Sequence, residues 1–160
     1  MLRIHRPIRC DFPRGITLCE LIIVVLILGL IAGAALPRFA SSLAQQQAVT
    51  LARQITMDIE TARRVARTSS TVKSITFDTV NKTYTLNGVI NPNRHDAEYL
   101  VTLANAASGA SFGTINLGGD AVLIFNGYGI PDSGGTIQVR VGSVTKTVVV
   151  DALTGSTTIQ

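Results

Sequence analysis

The carboxylate of Glu20 stands at the entrance to an apolar run. From residue 21 to residue 36 every side chain is apolar or absent. A charged group costs roughly 2.5 to 3.5 kcal/mol at a bilayer centre, and an ionisable residue in such a segment is a functional-site hypothesis by default. Charge gathers a second time in Arg63, Arg64, Arg67 and Lys73. That cluster reads as a solvated face or, more sharply, as a contact for a polyanion.

Other chemistry-bearing residues fail on spacing. His95, Asp96 and Glu98 have metal-ligand types but no second cluster, so they read as a polar loop and no metal site is expected. Gly127, Tyr128 and Gly129 follow a strand pattern, yet no helix pattern follows them, as a phosphate loop requires. Asp120, Asp132 and Asp151 would bind calcium only if the fold gathered them; turn chemistry is the simpler reading. No nucleophile has a paired base, and His5 lies among the first fifteen residues. Neither an enzyme nor a cofactor is expected.

The elements that position these groups follow from charge and periodicity. The net charge of +4 is uneven: Arg3, Arg6, Arg9 and Arg14 against Asp11 leave residues 1–15 at +3, and the other 145 residues at +1. The sequence pI of 9.5 is therefore poor support for a nucleic-acid partner. Basic residues beside an apolar span stay in the cytoplasm, which puts everything after residue 36 outside. Residues 16–36 make a helix of about 32 Å, one hydrocarbon thickness. Ala32, Gly33 and Ala34 could mark the exit of an ordinary signal peptide. Against that stand the acid at Glu20, a very long basic segment, and a helical pattern that runs on. Cys10 lies in the leader and Cys19 at the membrane boundary, so the exported part folds without a disulfide. Cys19 precedes the apolar stretch, the wrong order for a lipoprotein. Gly29 and Gly33 form a G-x-x-x-G pair that permits close helix approach. Pro37 removes a helical N–H, and the three together make a soft stretch.

From residue 43 to 67 the pattern becomes one-sided. Ala44, Ala48, Leu51, Ala52, Ile55, Ile59, Ala62 and Ala66 share a stripe at about 100° per residue. Arg53, Glu60, Arg63, Arg64 and Arg67 lie opposite, and Asp58 sits at the stripe's edge. A helix is predicted over about 17–67. Beyond it, strands are predicted at 72–78, 83–86, 99–103, 111–117, 121–126, 136–141 and 144–150, with 87–96 as loop and a two-residue turn at Gly142 and Ser143. The fold class is α+β: a long N-terminal helix, transmembrane then amphipathic, packed on an antiparallel β-sheet or small β-sandwich.

Gly15, Ile16, Thr17, Leu18, Glu20 and Leu21 together resemble the processing site of type IV prepilins. The resemblance implies cleavage between Gly15 and Ile16 by a prepilin peptidase, N-methylation of Ile16, and pairing of Glu20 with the new amine of a neighbouring subunit. Ile16 and Cys19 depart from the commoner residues at their positions, but both are apolar. A weaker resemblance, to H-type minor pseudopilins of type II secretion and their minor pilin relatives, rests on Leu51, Ala52 and Arg53, on 58–63, on 122–127 and on 148–155. It implies four segments: a cleaved leader (1–15), a transmembrane assembly helix (16–37), the amphipathic half of the helix (38–70) and a globular β domain (71–160). Implied partners are the peptidase, other pilin or pseudopilin subunits, an inner-membrane assembly platform and the lipid bilayer, and for the alternative reading nucleic acid. The implied location is the bacterial inner membrane, single-pass, with a cytoplasmic N-terminus and a periplasmic or extracellular domain. The expected function is a structural minor subunit of a secretion pseudopilus. The alternative is a minor pilin acting in adhesion or DNA uptake through Arg63, Arg64, Arg67 and surface loops.

Overall fold

An apolar run followed by a proline-free, one-sided pattern leaves little choice of local conformation. In the computed structural model, which describes residues 15–91 and 94–160, the result is one helix, α1 (Leu18–Ser69). The side chains of 34–37 and 94–97 lie outside the described residues. The chain divides into two units, Met1–Phe39 and Ala40–Gln160.

In the first unit, the apolar side chains from Ile16 to Ile31 are exposed. Among the described residues, α1 is the one helix long and apolar enough to cross a membrane. A helix suits that role because every backbone group is satisfied within the segment.

In the second unit, the helical stripe is the core. Ala48, Leu51, Ala52, Ile55, Ile59, Ala62 and Ala66 have no solvent exposure, and Ala44 packs partly buried beside them. The helix ends in a Schellman-type turn. Ser70 takes a positive φ of 50°, and the Thr71 N–H donates to the Ala66 carbonyl at 3.2 Å.

Among the described residues eight strands follow: β1 (Lys73–Asp78), β2 (Thr83–Asn91), β3 (Arg94–Thr102), β4 (Ala110–Leu117), β5 (Val122–Phe125), β6 (Gly135–Val141), β7 (Val144–Val150) and β8 (Thr157–Ile159), with a short helix, α2 (Leu103–Ala106), between β3 and β4. They form two four-stranded antiparallel sheets, ordered β3-β2-β1-β5 and β4-β6-β7-β8. Phe77 of β1 and Phe112 of β4 meet edge-on at 5.7 Å between centroids, tying one sheet to the other. Val141 pairs with Val144 across Gly142 (φ 59°) and Ser143, the expected two-residue hairpin.

Two expectations are corrected and one strand is added. Residues 87–91 and 94–96, read as loop, belong to β2 and β3. Gly88 (φ +73°) accommodates a register break between Leu86 and Ile90, so the strand continues past its turn-like residues as a bulge. Leu103, read as the end of a strand, opens α2 instead, where its side chain is buried. β8, which the sequence does not announce, exists because β7 offers it an edge.

Ile55 lies at the middle of the buried stripe. Ile55→Asp should cost several kcal/mol by burying an unpaired carboxylate, so fragment 40–160 should lose its cooperative thermal transition. An unchanged melting temperature would contradict helix-on-sheet packing.

Candidate functional site

The N-terminal residues are arranged by the helix start. The Glu20 N–H donates to Thr17 Oγ1 at 3.2 Å, and the Leu21 N–H donates to the Thr17 carbonyl at 3.2 Å. Thr17 thus caps α1, and Glu20 stands three residues later in the order of a capping box. That arrangement gives Glu20 a local role, since an acid in the first turn also suits the helix dipole. Gly15 and Ile16 are exposed just ahead of the helix. Gly29 and Gly33 lie within α1 with open space where a Cβ would be. Pro37 falls within the span of α1, and its ring lies outside the described residues.

The fold keeps three residues of the predicted basic cluster together: Arg63, Arg64 and Arg67 line one hollow of about 350 Å³ with Glu60 and Thr68. Arg63 is committed: its Nη1 lies 3.3 Å from Glu60 Oε2, and its Nε donates to the Gly129 carbonyl at 3.3 Å. Arg67 runs its stem past Gly129, whose φ of +75° and missing side chain allow that approach. It shares a hollow of about 460 Å³ with Ser70, Gly127 and exposed Tyr128. Arg64 also lines, with Lys73, a hollow of about 490 Å³ between α1 and β2.

Asp120 and Asp151 close local turns, whereas Asp132 ties the loop after β5 back to Ile124. Asp120 Oδ1 accepts the Val122 N–H and Asp132 Oδ1 the Ile124 N–H, both at 3.0 Å. Asp151 Oδ1 accepts the Leu153 and Thr154 N–H groups. Among the described residues, His, Cys, Asp and Glu do not gather in a group able to hold a metal. The backbone of His95 and Asp96 belongs to β3, and their side chains lie outside the described residues. Asn126 Oδ1 accepts the N–H groups of Tyr128 and Ile130, so the Gly127–Gly129 turn closes on itself.

Sequence reasoning missed the role of Asp58. It is almost fully buried. Its Oδ2 accepts the Tyr84 hydroxyl at 2.5 Å and its Oδ1 the Tyr99 hydroxyl at 2.8 Å, joining α1 to β2 and β3. Burial pushes the carboxyl pKa up, and the two tyrosine bonds oppose that only in part. Burial and the neighbouring Asp58 raise Tyr99 to about 12 and push Tyr84 up as well. Nothing in one sequence pairs Asp58 with tyrosines that lie 26 and 41 positions away.

The long helix beneath antiparallel sheets is the fold of pilin-like proteins. A crystal structure of the type IV minor pilin FimU from Pseudomonas aeruginosa (strain PAO1) matches with a TM-score of 0.55 and 13% identity, over 72% of this chain and 90% of that one. No protein-family model and no curated protein sequence matches.

The sign of the Asp58 contribution can be measured. A carboxyl whose folded pKa is raised favours the fold fully below its unfolded pKa, and that contribution is lost as pH rises through the folded value. Asp58→Asn lacks the titration. In fragment 40–160 its melting deficit against the parent should be largest in acid and narrow as pH rises above 3.8. A deficit that grows with pH would show that the folded state holds Asp58 ionised.

Proposed function

We propose that this chain is a minor structural subunit of a type IV pilin-like filament, with no enzymatic role. The observation that carries the reading is the make-up of α1. It has an acid in a capped first turn, an apolar surface exposed through Ile31, and a buried alanine-rich stripe from Ala48 onward. One end suits lipid and other helices, and the other suits its own sheets.

In this reading a prepilin peptidase cuts between Gly15 and Ile16, where glycine leaves the backbone unhindered, and Ile16 becomes the methylated N-terminus. Residues 16–37 wait in the inner membrane with 38–160 outside. An assembly platform then lifts the subunit into a filament of related chains. The new amine pairs with Glu20 of a neighbouring subunit, while Gly29, Gly33 and Pro37 form the stretch that lets helices close or bend.

The sequence segments at 51–63, 122–127 and 148–155 favour a type II secretion pseudopilus. A second reading, a minor type IV pilin, fits the same fold, and its role in adhesion or DNA uptake would rest on the basic residues and surface loops. Copurification with a secretion ATPase and an outer-membrane secretin supports the first. Duplex DNA tests the second. With Arg63 held by Glu60, Arg64, Arg67 and Lys73 remain. Three phosphate contacts at about 0.9 each give a log–log salt slope near −2.7, so binding should fade by physiological salt. Tight binding that survives such salt and is lost in Arg64→Gln/Arg67→Gln would place DNA uptake first.

Glu20 separates capping from assembly. Glu20→Gln keeps an acceptor for the capping box but removes the charge, and Glu20→Ala removes both. Both variants should insert into membrane at wild-type levels and fail to enter filaments. Filament incorporation of Glu20→Gln at the normal level would end the amine-pairing role.

A further inference from the structure

The hollow between α1 and β2 combines three features that the filament reading does not use. Its walls are apolar: Val65 of α1, Val89 and Ile90 of β2, and the ring of Tyr99. Ile90 is 69% exposed, a large aliphatic side chain on the open side of a strand. Two cations, Arg64 and Lys73, line the same space. Neither forms an ion pair among the described residues.

The backbone supplies the third feature. β1 pairs with β2 only as far as Asn87. β3 pairs with Leu86 and resumes at Ile90. Gly88 and Val89 therefore stand out of register with both neighbours, bordering the hollow. The positive φ of Gly88 turns the chain here. Its missing side chain leaves room for Lys73, whose Nζ lies 3.0 Å from where a Cβ would be. The ammonium thus lies beside the bulged backbone of β2.

We infer that this hollow docks an extended segment of a protein partner in which apolar side chains flank a carboxylate. The apolar walls take the side chains, because removing aliphatic surface from water is favourable. Arg64 and Lys73 take the carboxylate through charge-assisted hydrogen bonds. The bulged backbone of Gly88 and Val89, out of register with both flanking strands, offers amides to the partner's own backbone. That backbone strip favours a peptide over a lipid, which has no row of amides to match it. The volume of about 490 Å³ suits a few residues. Its lining lies outside residues 16–37, the segment that the filament reading uses.

The test uses the full chain in zwitterionic-lipid nanodiscs, with ¹³C-methyl labels on valine and isoleucine. The probes are acetyl-Leu-Asp-Leu-amide and its neutral partner acetyl-Leu-Asn-Leu-amide. The aspartyl peptide should shift the methyl signals of Val65, Val89 and Ile90 saturably, while those of Val139 and Val148 stay still. The asparaginyl peptide should bind about tenfold more weakly, the expected loss of a charge-assisted bond. Arg64→Gln/Lys73→Gln should erase the difference between the peptides without altering the rest of the spectrum. Gly88→Ala, which pushes on Lys73, should weaken the aspartyl peptide alone. Equal affinity for the two peptides, shifts that never saturate, or a double variant that still prefers the aspartyl peptide would each overturn the assignment.

Discussion

The distance between α1 and its sheets is set by small side chains. Four of the seven stripe residues with no solvent exposure are alanines: Ala48, Ala52, Ala62 and Ala66. They let the helix backbone approach closely, and Leu51, Ile55 and Ile59 fill what remains. The core on the other side is built from both sheets, with Ile75, Leu86, Leu123, Ile137, Val139 and Val148 among its members. Interiors packed to crystal-like density tolerate little change in volume. A larger residue at any of the four alanines would therefore lift the helix off, and the Asp58 and Arg63 contacts that depend on that spacing would go with it.

Those two contacts fix the helix more specifically than apolar burial can. Asp58 reaches β2 and β3 through Tyr84 and Tyr99, and Arg63 reaches the β5–β6 loop through the Gly129 carbonyl. Apolar packing is non-directional, whereas a buried carboxyl with two hydroxyl partners accepts one rotation of the helix. Losing either tyrosine hydroxyl would leave a buried polar group under-satisfied, a loss of about 1 to 3 kcal/mol. The groove at Gly88 and the hollow at Tyr128 flank this fixed helix, so their shapes follow from it.

Much of this was legible beforehand, for identifiable reasons. The 3.6-residue stripe named the buried face of α1 residue by residue, because a single helix face must meet the core. Alternation and turn residues located most strands, and Gly142 with Ser143 marked one hairpin. The extended part of β2 was not legible, since Asn87, Gly88 and Pro92 look like turn residues and only pairing with β3 decides otherwise. β8 and α2 are too short to leave a pattern. At the site, Glu20 was visible because its type contradicts its surroundings, and Thr17 three residues earlier was visible in principle. Asp58 was noticed only as an exception to the stripe. Its partners come from strands distant in sequence, and local spacing carries no trace of such a contact.

In the proposed function, α1 is made ready for assembly by removal of the residues before it. Intact-mass and N-terminal analysis of the chain extracted from its native membrane tests this most directly. The account predicts a mature chain beginning at Ile16 and carrying one N-terminal methyl group. A chain that begins near Ala35, at an ordinary signal-peptide exit, or one that retains Arg14 and Gly15, would contradict it.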